Sequence, residues 1–112
     1  MTPRRGDIWL VDFGDPIGRE QAGRRPAIVV SADELNESRA GVLVVVPCTT
    51  ARRGLPSHVE IDSADSGLDD VSYAKCEDVK SIAIQRLVAR LGVAPPHAVL
   101  EMSVALRFLL VL

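Results

Sequence analysis

Aromatic side chains are few in this chain: one Trp, one Tyr and two Phe among 112 residues. Stacking of bases on aromatic platforms must therefore be limited or supplied otherwise. Cysteine is as scarce, and Cys48 and Cys76 form no C-x-x-C pair, so neither a disulfide scaffold nor a cysteine-based zinc site is expected. His58 and His97 lack metal-ligand spacing and read as surface histidines. Asp62, Asp65, Asp69 and Asp70 lack the glycine and glutamate positions of a calcium loop and read as solvated turns. There is no phosphate-cradling glycine loop, and no metal or cofactor is expected. Glu101 and Arg107 interrupt the apolar C-terminus, so no run reaches the ~18 residues of a membrane span. With no leader pattern either, a cytoplasmic, reduced protein without membrane contact is expected.

Charge of one sign is also lacking. The formal net charge is −2, which excludes nucleic-acid binding by bulk electrostatics alone. Positive charge is instead local, in the pairs Arg24–Arg25 and Arg52–Arg53. What the chain has in quantity is hydrophobic side chains, 47% of the total, enough for a folded core. The length suits one domain over residues 1–112.

Short β-branched runs separated by turn residues predict a mainly β fold. Gly6–Phe13 reads as a first strand, and residues 14–23 as a loop long enough to be functional. Ala27–Ser31 reads as a second strand entered through Pro26, followed by one or two helical turns within Ala32–Arg39. Val42–Pro47, His58–Ile61, Val71–Cys76 and Leu87–Val93 read as further strands, and residues 77–85 are ambiguous. Pro95 opens a C-terminal helix whose Val99, Met102, Leu106 and Leu109 form one apolar face. Its tail, Phe108–Leu112, is more apolar than one face needs; core packing and contact with a partner both fit. Five to seven short strands and one terminal helix predict a small curled β-barrel.

Within that frame the stretch Gly23-Arg-Arg-Pro-Ala-Ile-Val-Val-Ser31 places Arg24 and Arg25 where a loop meets a strand. If the runs 27–31 and 42–47 pair antiparallel, Arg25 faces Thr49 across a sheet edge. A guanidinium offers a planar fork of donors to phosphate, and a threonine hydroxyl can add one more. Cys48, between them in sequence, reads as a small buried hydrophobe rather than a nucleophile paired with His58.

Arg5-Gly-Asp-Ile-Trp-Leu-Val-Asp-Phe-Gly14, Gly18-Arg-Glu-Gln21, Arg25-Pro-Ala-Ile-Val-Val-Ser31 and Pro47-Cys-Thr49 together resemble the MazF/PemK family. Gly67-Leu-Asp-Asp, Asp78-Val-Lys-Ser-Ile and Arg86-Leu extend the similarity over nearly the whole chain. The resemblance implies an SH3-like curled β-barrel with added helices, of the MazF, Kid and CcdB-like kind, ending in a helix and forming a homodimer. It implies a toxin of a type II toxin–antitoxin system, a metal-independent endoribonuclease cutting single-stranded RNA at short sequences. Its products would carry 2′,3′-cyclic phosphate and 5′-hydroxyl ends. Messenger RNA would be the first target, with transfer and ribosomal RNA as further candidates. The family's active-site arginine falls on Arg25 and its threonine on Thr49. Arg19, Glu20, Gln21 and Arg24 border the RNA groove from the first loop; Thr50, Arg52 and Arg53 are expected across it. A cognate antitoxin with an acidic tail would occupy the same groove.

Three departures from the family pattern stand out. Arg19 is found where serine is frequent, Cys48 where an aliphatic residue is usual, and aromatic residues are few. The resemblance also leaves a rival, a non-catalytic CcdB-like toxin that binds a topoisomerase. Such proteins end in Trp-Gly-Ile, whereas this chain ends in Leu-Val-Leu. A degenerate member that only binds RNA or an antitoxin is a third reading.

Overall fold

A computed structural model describes residues 2–15, 18 and 23–112, and among them lie seven strands and two α-helices. They are β1 (Asp7–Asp12), β2 (Arg24–Val29), α1 (Asp33–Asn36), β3 (Val42–Thr49), β4 (His58–Ile61), β5 (Ser72–Lys75), β6 (Lys80–Ala83), β7 (Leu87–Val93) and α2 (Pro96–Leu110). The strands run in the order β4-β5-β3-β2-β1-β7, and β6 adds to β3. All pairings are antiparallel.

Two of the central strands extend beyond their expected bounds. β2 begins at Arg24, so Pro26 lies inside the strand rather than at its entry, and β3 runs through Pro47 to Thr49. Both prolines sit where a missing N–H is tolerated. Pro26 pairs with Leu10 of β1, but the ladder from β2 to β3 starts only at Ala27. Pro47 falls where β3 changes its outer partner, from β6 along Val42–Val45 to β5 at Cys48. The ambiguous stretch 77–85 is resolved into two single 3-10 turns, Cys76–Asp78 and Ile84–Arg86, on either side of β6.

Alternation along β1, β2 and β3 divides the apolar residues between two clusters. Trp9, Val11, Phe13, Ala27, Val29, Leu43, Val45 and Ile82 form one. It is enclosed because β6 and β7, on opposite edges of β3-β2-β1, are joined by the turn Ile84–Arg86 alone. Register shifts between β1 and β7, at Ile8/Trp9 and Leu10/Val11, add the local twist such a curl requires. Ile8, Ile28, Val46, Cys48, Val59 and Ile61 face the other way and meet Ala98 and Met102 of α2. Burying a side chain such as Met102 completely contributes roughly 1.5–3 kcal/mol. Arg5 ties the helix down as well, donating to the carbonyl of Val30 and to Ser103 Oγ.

The mainly β fold with a curled sheet and terminal helix is as expected, although pairing does not close the sheet, which ends at β4 and β7. The turn Ala64–Ser66, which follows β4 in the chain, packs against β7. The approach is close enough that a methyl on Gly92 would run into the backbone of Asp65 and Ser66. Gly67 has φ +72°, and a methyl there would meet the Leu91 carbonyl.

Gly92→Ala is therefore expected to destabilise the fold by about 1–3 kcal/mol, because backbone rather than a movable side chain must yield. Thermal unfolding by circular dichroism measures this; an unchanged midpoint would contradict the packing described.

Candidate active site at the β2–β3 mouth

The ladder between β2 and β3 pairs Val29 with Val45, Ile28 with Val46 and Ala27 with Pro47, and ends there. Continued for two residues, the same register sets Arg25 opposite Thr49. Val30 opposite Val44 is a hydrogen-bonded position, so the next such positions are Ile28 opposite Val46 and then Pro26 opposite Cys48, where Pro26 has no amide to donate. The result is two strand ends held in register by the core below and unsealed at the top. Thr49 pairs instead on its other side, with Tyr73 of β5.

Residues opposite one another in an antiparallel pair share a face. Leu87, Val11 and Arg25 thus form one row with Thr49, Tyr73 and Glu60. The row leaves the enclosed cluster at Arg25: Val11 is fully buried, whereas Arg25 is exposed and Thr49 half-buried. Tyr73 is half-buried and Glu60 exposed. Tyr73 and Glu60 were missed by sequence reasoning; the signal that finds them is the register of β5 against β3, which no local pattern encodes. Glu60 lies two strand spacings from Thr49, about 10 Å.

The Thr49 hydroxyl oxygen accepts a 3.1 Å hydrogen bond from the Ala51 amide. This fixes the oxygen and leaves its proton available to another acceptor. Arg24 lies opposite Asp12 and is exposed; Asp12 uses one carboxylate oxygen to accept from the Gly14 amide, 2.9 Å away. Thr50, Arg52 and Arg53 follow β3 on an exposed connection, on the Thr49 side of the mouth. Arg19, Glu20 and Gln21 lie outside the described residues.

The far end of that connection is anchored. Ser57 Oγ donates to Glu77 Oε1 at 2.8 Å, and His58 Nε2 lies 2.9 Å from Glu77 Oε2. His58 is thus not the surface residue expected, since its side chain is only 3% exposed. Lys75 forms a 2.9 Å ion pair with Asp78. The cysteines are buried, and burial raises the Cys48 thiol to about 12 and that of Cys76 to about 11. Neither thiol is a nucleophile at neutral pH. His97, Asp62, Asp65, Asp69 and Asp70 are exposed, as expected of solvated positions.

On α2 the apolar face packs as Val99, Met102 and Leu106, but Leu109 is 39% exposed and lines an open groove. This groove has a volume of about 600 Å3 and runs between the helix and Leu55, Pro56 and His58. Phe108 beside it is 83% exposed. Among the described residues no helix is long and apolar enough to cross a membrane.

Comparison with known proteins matches residues 4–110 to the family described as PemK-like, MazF-like toxins of type II toxin–antitoxin systems. The chain is 34% identical over 109 residues to the endoribonuclease MazF9 of Mycobacterium tuberculosis, covering 93% of this chain and 92% of that protein. Among solved structures it resembles MazF of Deinococcus radiodurans, with a TM-score of 0.87 and 26% identity over 100% of this chain and 99% of the other. A mycobacterial endoribonuclease solved in complex with its cognate antitoxin superposes with a TM-score of 0.82 and 26% identity, covering 98% and 96%.

Burial alone would raise the Glu77 carboxyl, but hydrogen bonds from His58, from its own backbone and from Ser57 outweigh it and hold the group below its ordinary value. A carboxyl depressed in the folded state stabilises it fully above the unfolded pKa, about 4.3, and loses that contribution as pH falls through the folded value. The melting temperature should therefore fall more steeply between about pH 5 and pH 3 for the native chain than for Glu77→Gln. Parallel loss in the two proteins would contradict this anchor.

Proposed function

We infer that this chain, which belongs to the PemK-like, MazF-like toxins of type II toxin–antitoxin systems, cuts single-stranded RNA through Arg25 and Thr49. The observation that supports the reading is the β2–β3 register, which when continued sets Arg25 opposite Thr49 on a scaffold similar to that of endoribonucleases. The reaction needs no metal ion. The ribose 2′-hydroxyl attacks the adjacent phosphorus, the bond to the 5′-oxygen breaks, and a 2′,3′-cyclic phosphate and a 5′-hydroxyl remain.

In such a transfer the protein positions the attack and stabilises charge growing on the phosphoryl oxygens. Arg25 meets the second need with paired N–H donors and a positive charge. Thr49, its oxygen fixed by the Ala51 amide, turns its proton toward the same oxygens. Guanidinium groups are poor general bases. Glu20, which precedes Arg25 in sequence, is the carboxylate nearest to it along the chain able to assist. Arg19, Gln21 and Arg24 on one side, and Thr50, Arg52 and Arg53 on the other, contact the strand on either side of the cut.

The assembly is a cytoplasmic homodimer, kept inactive by a cognate antitoxin whose acidic tail fills the groove between these two loops. The apolar residues Val104, Phe108, Val111 and Leu112, each more than half exposed, supply the dimer contact.

Removing one preorganised donor typically slows such chemistry about 10²–10³-fold. Arg25→Ala and Thr49→Val should each lose at least that much in single-turnover cleavage, while Thr49→Ser retains most of it. Circular dichroism should show all three folded. Full activity in Arg25→Ala would overturn the assignment.

A further inference from the structure

We propose that Lys80 and Arg86 form a second phosphate subsite, which holds the RNA backbone beside the phosphate being cut; the proposal rests on the endoribonuclease reading above. The two cations line a cavity of about 350 Å3 together with Phe13, Ser81, Ile82 and Ala83. Neither takes part in the ion pairs of the described residues, which join Arg4 to Asp33, His58 to Glu77, Lys75 to Asp78 and Arg90 to Asp7. In a chain of net charge −2, two cations facing one cavity that no carboxylate side chain lines among the described residues form an anion site.

Its position relates it to the mouth. Phe13 lies two residues beyond Val11, on the same face, and Val11 is the register partner of Arg25. Two strand residues span about 7 Å. The Phe13 amide donates to the Gly23 carbonyl at 2.9 Å, so the cavity stands at the foot of the 14–23 connection. Lys80 Nζ sits 5.4 Å from the centre of the Phe13 ring, which holds the ammonium at that wall. Arg86 is held by one N–H, donated at 3.1 Å to the Asp12 carbonyl, and a guanidinium has four further donors.

The chemistry favours phosphate over a base. The one ring in the cavity is 7% exposed and covered by Lys80, so it offers no stacking surface. A point charge and a fork of donors suit the several oxygens of a phosphodiester. Phosphates also recur along the strand, so a site beside Arg25 on the same face can take the next one or two while Arg25 holds the scissile group. Lys80 and Arg86 bind substrate and take no part in bond breaking.

The test uses Arg25→Ala protein and a fluorescein-labelled oligoribonucleotide spanning the cut mapped for the native chain, with binding read by anisotropy. Adding Lys80→Met or Arg86→Gln should weaken binding about five- to tenfold and reduce the slope of log K against log salt by about 0.7 for each phosphate no longer neutralised. Lys80→Arg should restore both. On the native background KM should rise with kcat unchanged. A neutral methylphosphonate at one flanking position should weaken binding to the Lys80 protein and cost nothing more in Lys80→Met. Unchanged affinity and slope in both Lys80→Met and Arg86→Gln would overturn the subsite, as would weakened binding of an acidic antitoxin peptide alone. If the native chain neither cuts nor binds RNA, the endoribonuclease reading falls and the subsite with it. If it cuts while the variants bind as before, only the subsite falls.

Discussion

The antiparallel pairing of β2 with β3 is the interaction on which the rest depends. Ala27, Ile28, Val29, Val45, Val46 and Pro47 are all buried, because both faces of this pair are covered, one by the enclosed cluster and the other by β4, β5 and α2. A one-residue slip would exchange the two faces along a whole strand and put Arg25 on the wrong side of the sheet. The core therefore sets the register, and the register sets the site. Pro26 removes an amide donor from the ladder where the site begins, so fixed spacing and open access arise from the same few residues.

The electrostatics follow a local logic. The chain is weakly acidic, and cations at the mouth act at short range rather than as a general field. Several basic groups elsewhere hold the fold: Arg5 bonds to Val30 and Ser103, Arg90 to the buried carboxylate of Asp7, and Lys75 to Asp78. This separation between cations that hold the fold and cations that face open surface is clearer in the structure than in the charge count. Arg5 shows it well, since it opens the Arg-Gly-Asp-Ile-Trp motif and serves to fasten α2.

Much of the fold was legible in sequence because alternation and turn residues report local geometry directly. β1, β4, β5, β7 and α2 fall where their patterns place them, within a few residues. The extension of β2 back to Arg24 was hidden by Pro26, whose tolerance depends on one edge remaining unpaired with β3. β6 was hidden by its length of four residues and by Lys80 and Ser81, whose polarity masks a strand buried only at Ile82. His58 was misplaced because the carboxylate that allows its burial, Glu77, is 19 residues away. At the site, antiparallel pairing around Arg25 and Thr49 followed from where the polar residues stand at the two run ends. Tyr73, Glu60 and the Lys80–Arg86 cavity depend on β5 and β6 docking against β3, which is tertiary information.

The central claim is that this scaffold carries metal-free transfer of a phosphodiester to the neighbouring 2′-hydroxyl. It is tested most directly by incubating the purified protein with a long unstructured RNA in EDTA and determining the chemistry of the new ends. The account predicts discrete cuts bearing 2′,3′-cyclic phosphate and 5′-hydroxyl ends, and no cut in an otherwise identical RNA with 2′-deoxyribose at the position before the break. Cleavage of that deoxy-substituted RNA, 5′-phosphate ends, or no cleavage of any RNA would contradict it.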